Sequence, residues 1–226
     1  VLAFLAGGLV FWYLKPTAYR RLFYAGAAVG VLAVAYLGHA AFWERMSTIR
    51  EATAGYTEEV DTSARSRWVL AELQLRVAAD HPFGVGHRGI VPLSKLYLPD
   101  EYLAAQGGRS SHNTYLTVLS EQGLPGTLIF GALMLWALRC IWRMRDLRHR
   151  PEVTRLSGQV AAVAAMLAVA AVGGLGVDYL KAEVQIWAIA LLTVLSTAHS
   201  TMYTVVEPRP VGEPAVEEMR PARWFG

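Results

Sequence analysis

Residues 156–177, LSGQVAAVAAMLAVAAVGGLGV, contain no charged side chain and a single amide side chain, Gln159. A helix that crosses the hydrocarbon core of a bilayer, about 30 Å thick, needs about 20 predominantly apolar residues. The stretch is long and apolar enough, so it predicts a membrane-spanning helix. The rest of the chain must then lie within a bilayer or on its two sides.

Four further apolar segments accompany this one, at residues 1–14, 22–42, 124–142 and 185–206. Tryptophan and tyrosine lie near several of their ends, as is usual at the membrane interface. We therefore predict an all-α, polytopic membrane protein with its spans in residues 1–206. The alternative, that one or two segments are buried helices of a globular core, is disfavoured by finding five of them in 226 residues.

The first segment is shorter than a complete span. It has no initial Met, no basic residues ahead of its apolar run and no small-residue cleavage site, which argues against a signal peptide. We expect it to be the end of a helix that begins upstream. The chain would then be the C-terminal half of a larger membrane protein.

The composition excludes several classes of soluble protein. Apolar side chains make up 54% of the chain and charged ones 17%, below the usual share of about 25%. This balance argues against intrinsic disorder and against a nucleic-acid-binding arm, so no nucleic-acid partner is expected. The single cysteine, Cys140, cannot form an internal disulfide.

Basic residues in the short connections predict the orientation, because such residues favour the cytoplasmic side. One group lies between the first two spans and a second between the third and fourth; they are Lys15, Arg20 and Arg21, and Arg143, Arg145, Arg148, Arg150 and Arg155. Both connections are therefore expected to be cytoplasmic. The long loop 43–113 would then be external, with short helices in it, and the tail 207–226 disordered and cytoplasmic.

The external loop carries the polar residues from which chemistry is expected. None of the five segments has a charged residue near its middle, which argues against a pump or coupled transporter. In the loop, helical spacing of apolar residues predicts a helix from Ser63, as N-cap, to Asp80, ended by Pro82. A glycine turn, HPFGVG at residues 81–86, follows, and a second helix start is predicted near Asn113.

His112 would lie at the start of that second helix, on the external face. Free N–H groups and the helix dipole favour anions such as phosphate there. A guanidinium binds phosphate oxygens as a fork, and Arg67 on the preceding helix is the leading candidate, with Arg65, Arg88, Lys95 and Arg109 as helpers. A metal site of His81, His87 and His112 is disfavoured, because their spacing matches no familiar ligand pattern.

Four motifs in order carry a resemblance to a known family: RW at residues 67–68, HPFGVG at 81–86, SHNTYL at 111–116 and EQGLPG at 121–126. Together they resemble the O-antigen ligase and polymerase family of bacterial envelope proteins. The resemblance covers more than half of the chain, and the ordered combination is more specific than any one motif.

The resemblance implies a metal-independent glycosyltransferase of the bacterial inner (plasma) membrane, without a cofactor. Its donor would be an undecaprenyl-diphosphate-linked glycan, and its acceptor a saccharide, the lipid A core of lipopolysaccharide, or a protein. Carried over by motif, His112 and Arg67 are the expected catalytic residues, and Arg65 is the alternative arginine. Substrate-binding residues are expected at Arg65, Arg109, Asn113, His81, Lys95 and Arg88.

The acceptor decides between an O-antigen ligase and a polymerase of the same family, and the sequence leaves this open. A flippase for the same lipid-linked glycans is a less favoured alternative, because it predicts polar residues along the spans. A non-catalytic membrane assembly component is the third hypothesis, after the glycosyltransferase and the flippase.

Overall fold

The computed structural model describes residues 2–37, 58–98, 112–178 and 184–206, and every regular element within these ranges is a helix. We number the α-helices in chain order: α1 Leu2–Leu14, α2 Arg20–Leu37, α3 Glu58–Asp80, α4 Ile90–Tyr97, α5 Thr114–Thr117, α6 Gly123–Met144, α7 Thr154–Gly173 and α8 Val184–Val206. A π-helical turn, Val118–Gln122, joins α5 to α6. Short 3-10 turns connect α1 to α2 and α6 to α7: Thr17–Tyr19, Arg145–His149 and Pro151–Val153.

Helix α7, which contains most of the apolar stretch 156–177, lies at the centre of the bundle. One side of it, which includes Val160 and Val163, packs with buried residues of α6 and α8. Another side contacts α1 through Ala161 and Ala164. Small side chains let membrane helices approach closely: a Cβ on Gly7 of α1 would lie 3.0 Å from the Ala165 carbonyl oxygen.

Three helical stretches in the described residues are long and apolar enough to cross a membrane: Thr114–His149, Pro151–Gly173 and Val184–Met202. Helix α1 is apolar but shorter, with 13 residues. These findings confirm the predicted all-α membrane fold. The division into five spans stays a prediction, because the expected end of the second span lies in residues 38–57, which are outside the described residues. Part of the predicted loop 43–113 and the whole tail 207–226 are outside them too.

The helix predicted within residues 43–113 differs from its predicted bounds. It ends at Asp80 as expected, but begins at Glu58, so Ser63 lies inside the helix and the prediction of Ser63 as its N-cap is wrong. Acidic side chains favour a helix N-terminus, since they interact well with its dipole. Glu58 and Glu59 supply that charge at the first two positions of the helix, five and four residues ahead of Ser63.

The two basic connections meet at one end of the bundle. Arg148 donates a 2.8 Å hydrogen bond to the carbonyl of Tyr13, and its guanidinium lies 4.4 Å from the centre of the Tyr13 ring. The Tyr19 ring lies where a side chain on Gly158 would stand. The start of α7 is therefore at this basic end, and its other end, at Gly173, lies about 30 Å away along the helix.

Candidate functional site

A cavity of about 360 Å³ lies at the end of the bundle opposite the basic connections. Three elements line it: the middle turns of α3, the start of α5, and the turn after α7. The lining residues are Arg67, Trp68, Leu70, Ala71, Gln74, His112, Asn113, Leu116, Leu175 and Gly176. Arg67 and His112, which are 45 positions apart in the sequence, thus border the same space.

The start of α5 is tied to the end of α7. The Thr114 backbone N–H donates to the carbonyl of Gly174 (2.8 Å), and the Thr114 hydroxyl donates to the carbonyl of Val177 (2.8 Å). The Tyr115 hydroxyl donates to the carbonyl of Ala171 at 2.6 Å. The Ala171 and Gly174 carbonyls lie at the end of α7, where helix carbonyls lack partners within the helix, and the Val177 carbonyl lies in the turn that follows. Together the three bonds fix His112 relative to the membrane-spanning core.

Asn113 caps α5 and takes up the N–H groups of its first turn. Its Oδ1 accepts hydrogen bonds from the backbone N–H groups of Tyr115 (3.0 Å) and Leu116 (3.1 Å). Thr114 N–H bonds to Gly174, as above, and Thr117 N–H donates to the Asn113 carbonyl at 3.0 Å. The expectation that free N–H groups of this first turn bind an anion is therefore wrong, because the Asn113 side chain accepts from two of them and backbone carbonyls accept from the other two.

Asn113 is the substitution site for a first prediction. Asn113→Ala removes the cap and the 3.2 Å bond from Nδ2 to the Leu175 carbonyl, so it is expected to cost about 1–2 kcal/mol of stability. Asn113→Asp keeps an oxygen for the cap and is expected to retain most of that stability. Thermal unfolding of the purified protein in detergent measures both, and equal losses for the two variants would contradict the capping role.

The chain bends sharply between the π-helical turn and α6. The rings of Tyr115 and Phe130 lie 6.2 Å apart, whereas a straight helix would separate residues at this spacing by about 22 Å. The bend is at Gly123, whose backbone angles are φ 66° and ψ −167°. Only glycine adopts this region readily. The segment from Thr114 to Gln122 consequently folds back beside the first turns of α6.

The glycine turn after α3 fits into this bend. Backbone N–H groups of Val85 and Gly86 donate to the carbonyls of Ser120 (3.0 Å) and Glu121 (2.9 Å), and Leu124 N–H donates to the Pro82 carbonyl (2.8 Å). A Cβ on Gly84 would lie 2.6 Å from the Gly123 backbone nitrogen. We call this backbone contact between residues 82–86 and 120–124 the glycine clasp. It joins the helix that carries Arg67 to the segment that follows His112.

Gln74 also lines the cavity, although it is not among the site residues predicted from the sequence. It lies on α3 seven positions after Arg67, on the same helical face, and is almost fully buried at 2% exposure. Its Nε2 donates to the Ser120 hydroxyl at 3.5 Å, which adds a polar link between α3 and the π-helical turn. The signal that could have found it is a polar side chain in helical register with Arg67.

Three other expected substrate-binding residues, His81, Arg88 and Lys95, are described with side chains and do not line the cavity. His81 is exposed in the glycine turn, Arg88 is exposed with a φ of 58°, and Lys95 is exposed on the last turn of α4. Arg65 lies on α3, and Arg109 is outside the described residues. Among the expected residues that the structure describes with side chains, it brings Arg67, His112 and Asn113 together and leaves His81, Arg88 and Lys95 apart.

Helix α4 packs on α3 and so braces the helix that carries Arg67. Leu73 and Val77 of α3 form a buried cluster with Ile90. The Tyr97 hydroxyl donates to the Asp80 carboxylate at 2.8 Å, and this bond raises the pKa of Tyr97. In the described part of the chain, no group of three or more His, Cys, Asp or Glu side chains is placed to hold a metal ion.

Comparison with known proteins gives one match. A family model described as O-antigen ligase matches residues 1–131, more than half of the chain. No curated protein and no solved structure matches. The matched region contains α3, the glycine clasp, Arg67 and His112, in the order of the motifs quoted above. The chain belongs to the O-antigen ligase family.

Proposed function

We propose that this protein, whose family membership supports a membrane glycosyltransferase of the ligase or polymerase kind, takes its glycan from an undecaprenyl-diphosphate carrier. The acceptor is a hydroxyl group of a saccharide or of another envelope molecule. The observation that carries the proposal is the shared cavity: an arginine and a histidine, the residue types expected for this chemistry, border one space at the end of the membrane bundle.

In the proposed reaction, the acceptor oxygen forms a bond to the anomeric carbon of the donor glycan while the bond to the carrier diphosphate breaks. The bonding pair and the negative charge go to the diphosphate. Arg67 stabilises that charge electrostatically, through two parallel N–H donors to phosphate oxygens. His112 takes the proton from the acceptor hydroxyl; its alternative role is a hydrogen bond to the diphosphate.

The proposed site of the reaction is the external face of the bacterial inner membrane. Support comes from the distribution of charge: the cavity lies at one end of the bundle, and Arg148, Lys15 and Arg20 lie at the other. Arginine and lysine in short connections favour the cytoplasmic side. The cavity would then face outward, where undecaprenyl-linked glycans are expected to meet their acceptors.

Arg67 is the proposed diphosphate ligand, and Arg65 supplies a matched control on the same helix. Arg67→Ala is expected to lower transfer about 10²- to 10³-fold, by analogy with the loss of one donor to a developing oxyanion. Arg67→Lys keeps the positive charge but loses the forked pair of donors, so its transfer rate is expected to lie between those of wild type and Arg67→Ala. Initial rates with lipid-linked donor measure this effect. A larger loss in Arg65→Ala than in Arg67→Ala would assign the role to Arg65 instead.

A transfer assay tests the proposed function directly. The intact protein is reconstituted in liposomes without an ion gradient and supplied with an undecaprenyl-diphosphate-linked glycan and an acceptor saccharide. Formation of the extended or ligated product is expected, together with release of undecaprenyl diphosphate. Movement of the donor across the bilayer without product would favour a flippase, and no effect of the Arg67 and His112 variants would favour a non-catalytic assembly component.

A further inference from the structure

A second cavity, of about 390 Å³, lies on the side of the bundle between α1, α6 and α7. We call it the lateral groove. Its wall is almost entirely apolar, with Val10, Tyr13 and Leu14 from α1 and Tyr115 at the end towards the functional site. It is separate from the cavity that holds Arg67 and His112, with which it shares no lining residue.

Regular spacing on two facing helices creates the groove. Ala164, Ala168 and Ala171 of α7 line one wall at positions i, i+4 and i+7, which lie on one face of a helix. Larger residues of α6 line the opposite wall at the same spacing: Met134, Leu138 and Ile141. Because three of the four α7 residues that line the groove are alanines, with Leu167 as the fourth, the two helices leave a channel that runs along their axes.

The groove ends in a cationic group. Among its lining residues, Arg145 alone carries a charge, and it lies at the basic end of the bundle. Its guanidinium stacks over Trp142, 4.5 Å from the ring centre, and its Nε contacts the Asp146 carboxylate at 3.5 Å. About 38% of the Arg145 side chain is exposed. An arginine and a tryptophan at the mouth of an apolar channel are typical of the interfacial region of a bilayer, where lipid head groups meet acyl chains.

We infer that the lateral groove binds one anionic phospholipid of the bilayer, with its phosphate at Arg145 and one acyl chain along the Ala164–Ala171 face. The complementarity is one of charge and of length. Arginine forms forked hydrogen bonds to phosphate oxygens, and basic pockets between helices on the cytoplasmic side bind anionic head groups. From Arg145 to Met134 the helical path is about 16 Å, close to the half-thickness of a hydrocarbon core of about 30 Å.

This lipid site does not depend on the transfer reaction, so its test needs no glycan. The purified chain is examined by native mass spectrometry with dioleoyl phosphatidylglycerol and, separately, with dioleoyl phosphatidylcholine. One phosphatidylglycerol per chain is expected to be retained, with about five- to tenfold preference over phosphatidylcholine. Equal retention of the two lipids would overturn the inference.

Two variants and one matched control locate the site. Arg145→Gln is expected to abolish the preference for phosphatidylglycerol, whereas Arg143→Gln, which removes the same charge from a neighbouring exposed position outside the groove, leaves it unchanged. Ala168→Phe fills the groove and is expected to reduce retention of both lipids, with its thermal midpoint checked against wild type. If Arg143→Gln and Arg145→Gln lower the preference for phosphatidylglycerol equally, the preference comes from general surface charge, and the inference is overturned. If Ala168→Phe converts a dimer to a monomer without loss of lipid, a second copy occupies the groove and the inference also fails.

Discussion

Replacing His112 with alanine in the intact protein is expected to lower the rate of glycan transfer about 10²- to 10⁴-fold, the range typical of a lost general base. The fold is expected to persist, because the His112 side chain is exposed where it borders the cavity. The bonds that anchor this region come from Asn113, Thr114 and Tyr115. Transfer with lipid-linked donor measures the activity, and unchanged yield in the membrane fraction measures the fold.

His112→Gln separates the two roles that the histidine could have. Glutamine can donate a hydrogen bond to a phosphate oxygen but does not take up a proton near neutral pH. If His112 is the base, the glutamine variant is expected to be as inactive as the alanine variant. A substantial recovery of transfer in His112→Gln would instead assign the histidine to the diphosphate.

His81 provides the matched control for this experiment. It is another exposed histidine of the same region, in the glycine turn, and does not line the cavity. His81→Ala is therefore expected to stay within a few-fold of the wild-type rate, in contrast to the sequence-based prediction that His81 binds substrate. Wild-type transfer in His112→Ala would contradict the proposed mechanism, whatever the behaviour of His81→Ala.

The helices and the family could be predicted from the sequence because both depend on local patterns. Apolar runs of about 20 residues predict membrane helices without knowledge of their neighbours. The predicted segment 185–206 is observed as Val184–Val206, and 124–142 as Gly123–Met144. The motifs that resemble the O-antigen ligase family likewise needed only their order along the chain, and the family match over residues 1–131 confirms that resemblance.

The cavity could be predicted only in part, because it depends on contacts between distant segments. Residue type and motif are enough to predict Arg67 and His112 as site residues. Whether the first N–H groups of α5 are free or bonded depends on the direction of the Asn113 amide, which the sequence does not give. Gln74 went unnoticed because its importance follows from burial against Ser120, 46 positions away. The glycine turn at residues 81–86 could be predicted from local sequence, but the close contact of Gly84 with Gly123, 39 positions later, could not.

The second large effect is expected at the glycine clasp. Gly123→Ala places a side chain in a backbone region that is essentially restricted to glycine, and its Cβ would lie 2.5 Å from the Gly84 nitrogen. Backbone strain of about 1–3 kcal/mol and overpacking of about 1–3 kcal/mol both oppose folding. Gly84→Ala meets the same combination, since its φ is 85° and its Cβ would lie 2.6 Å from the Gly123 nitrogen. Either variant is expected to lose about 2–6 kcal/mol of stability, a large part of the usual 5–15 kcal/mol.

Gly86→Ala separates the close approach from the strain, because Gly86 also has a positive φ, 81°, but open space around its Cβ position. It is expected to lose about 1–2 kcal/mol, the cost of the left-handed backbone alone. Gly131→Ala, in the interior of α6 with open space, is expected to be neutral or slightly stabilising. Thermal unfolding in detergent ranks the four variants, and equal losses for Gly84→Ala and Gly86→Ala would contradict a close backbone contact.

Because the clasp joins the helix of Arg67 to the segment after His112, its opening is also expected to lower transfer in the protein that remains folded. A Gly84→Ala variant with reduced stability but a wild-type transfer rate would show that Arg67 and His112 keep their positions without the glycine clasp.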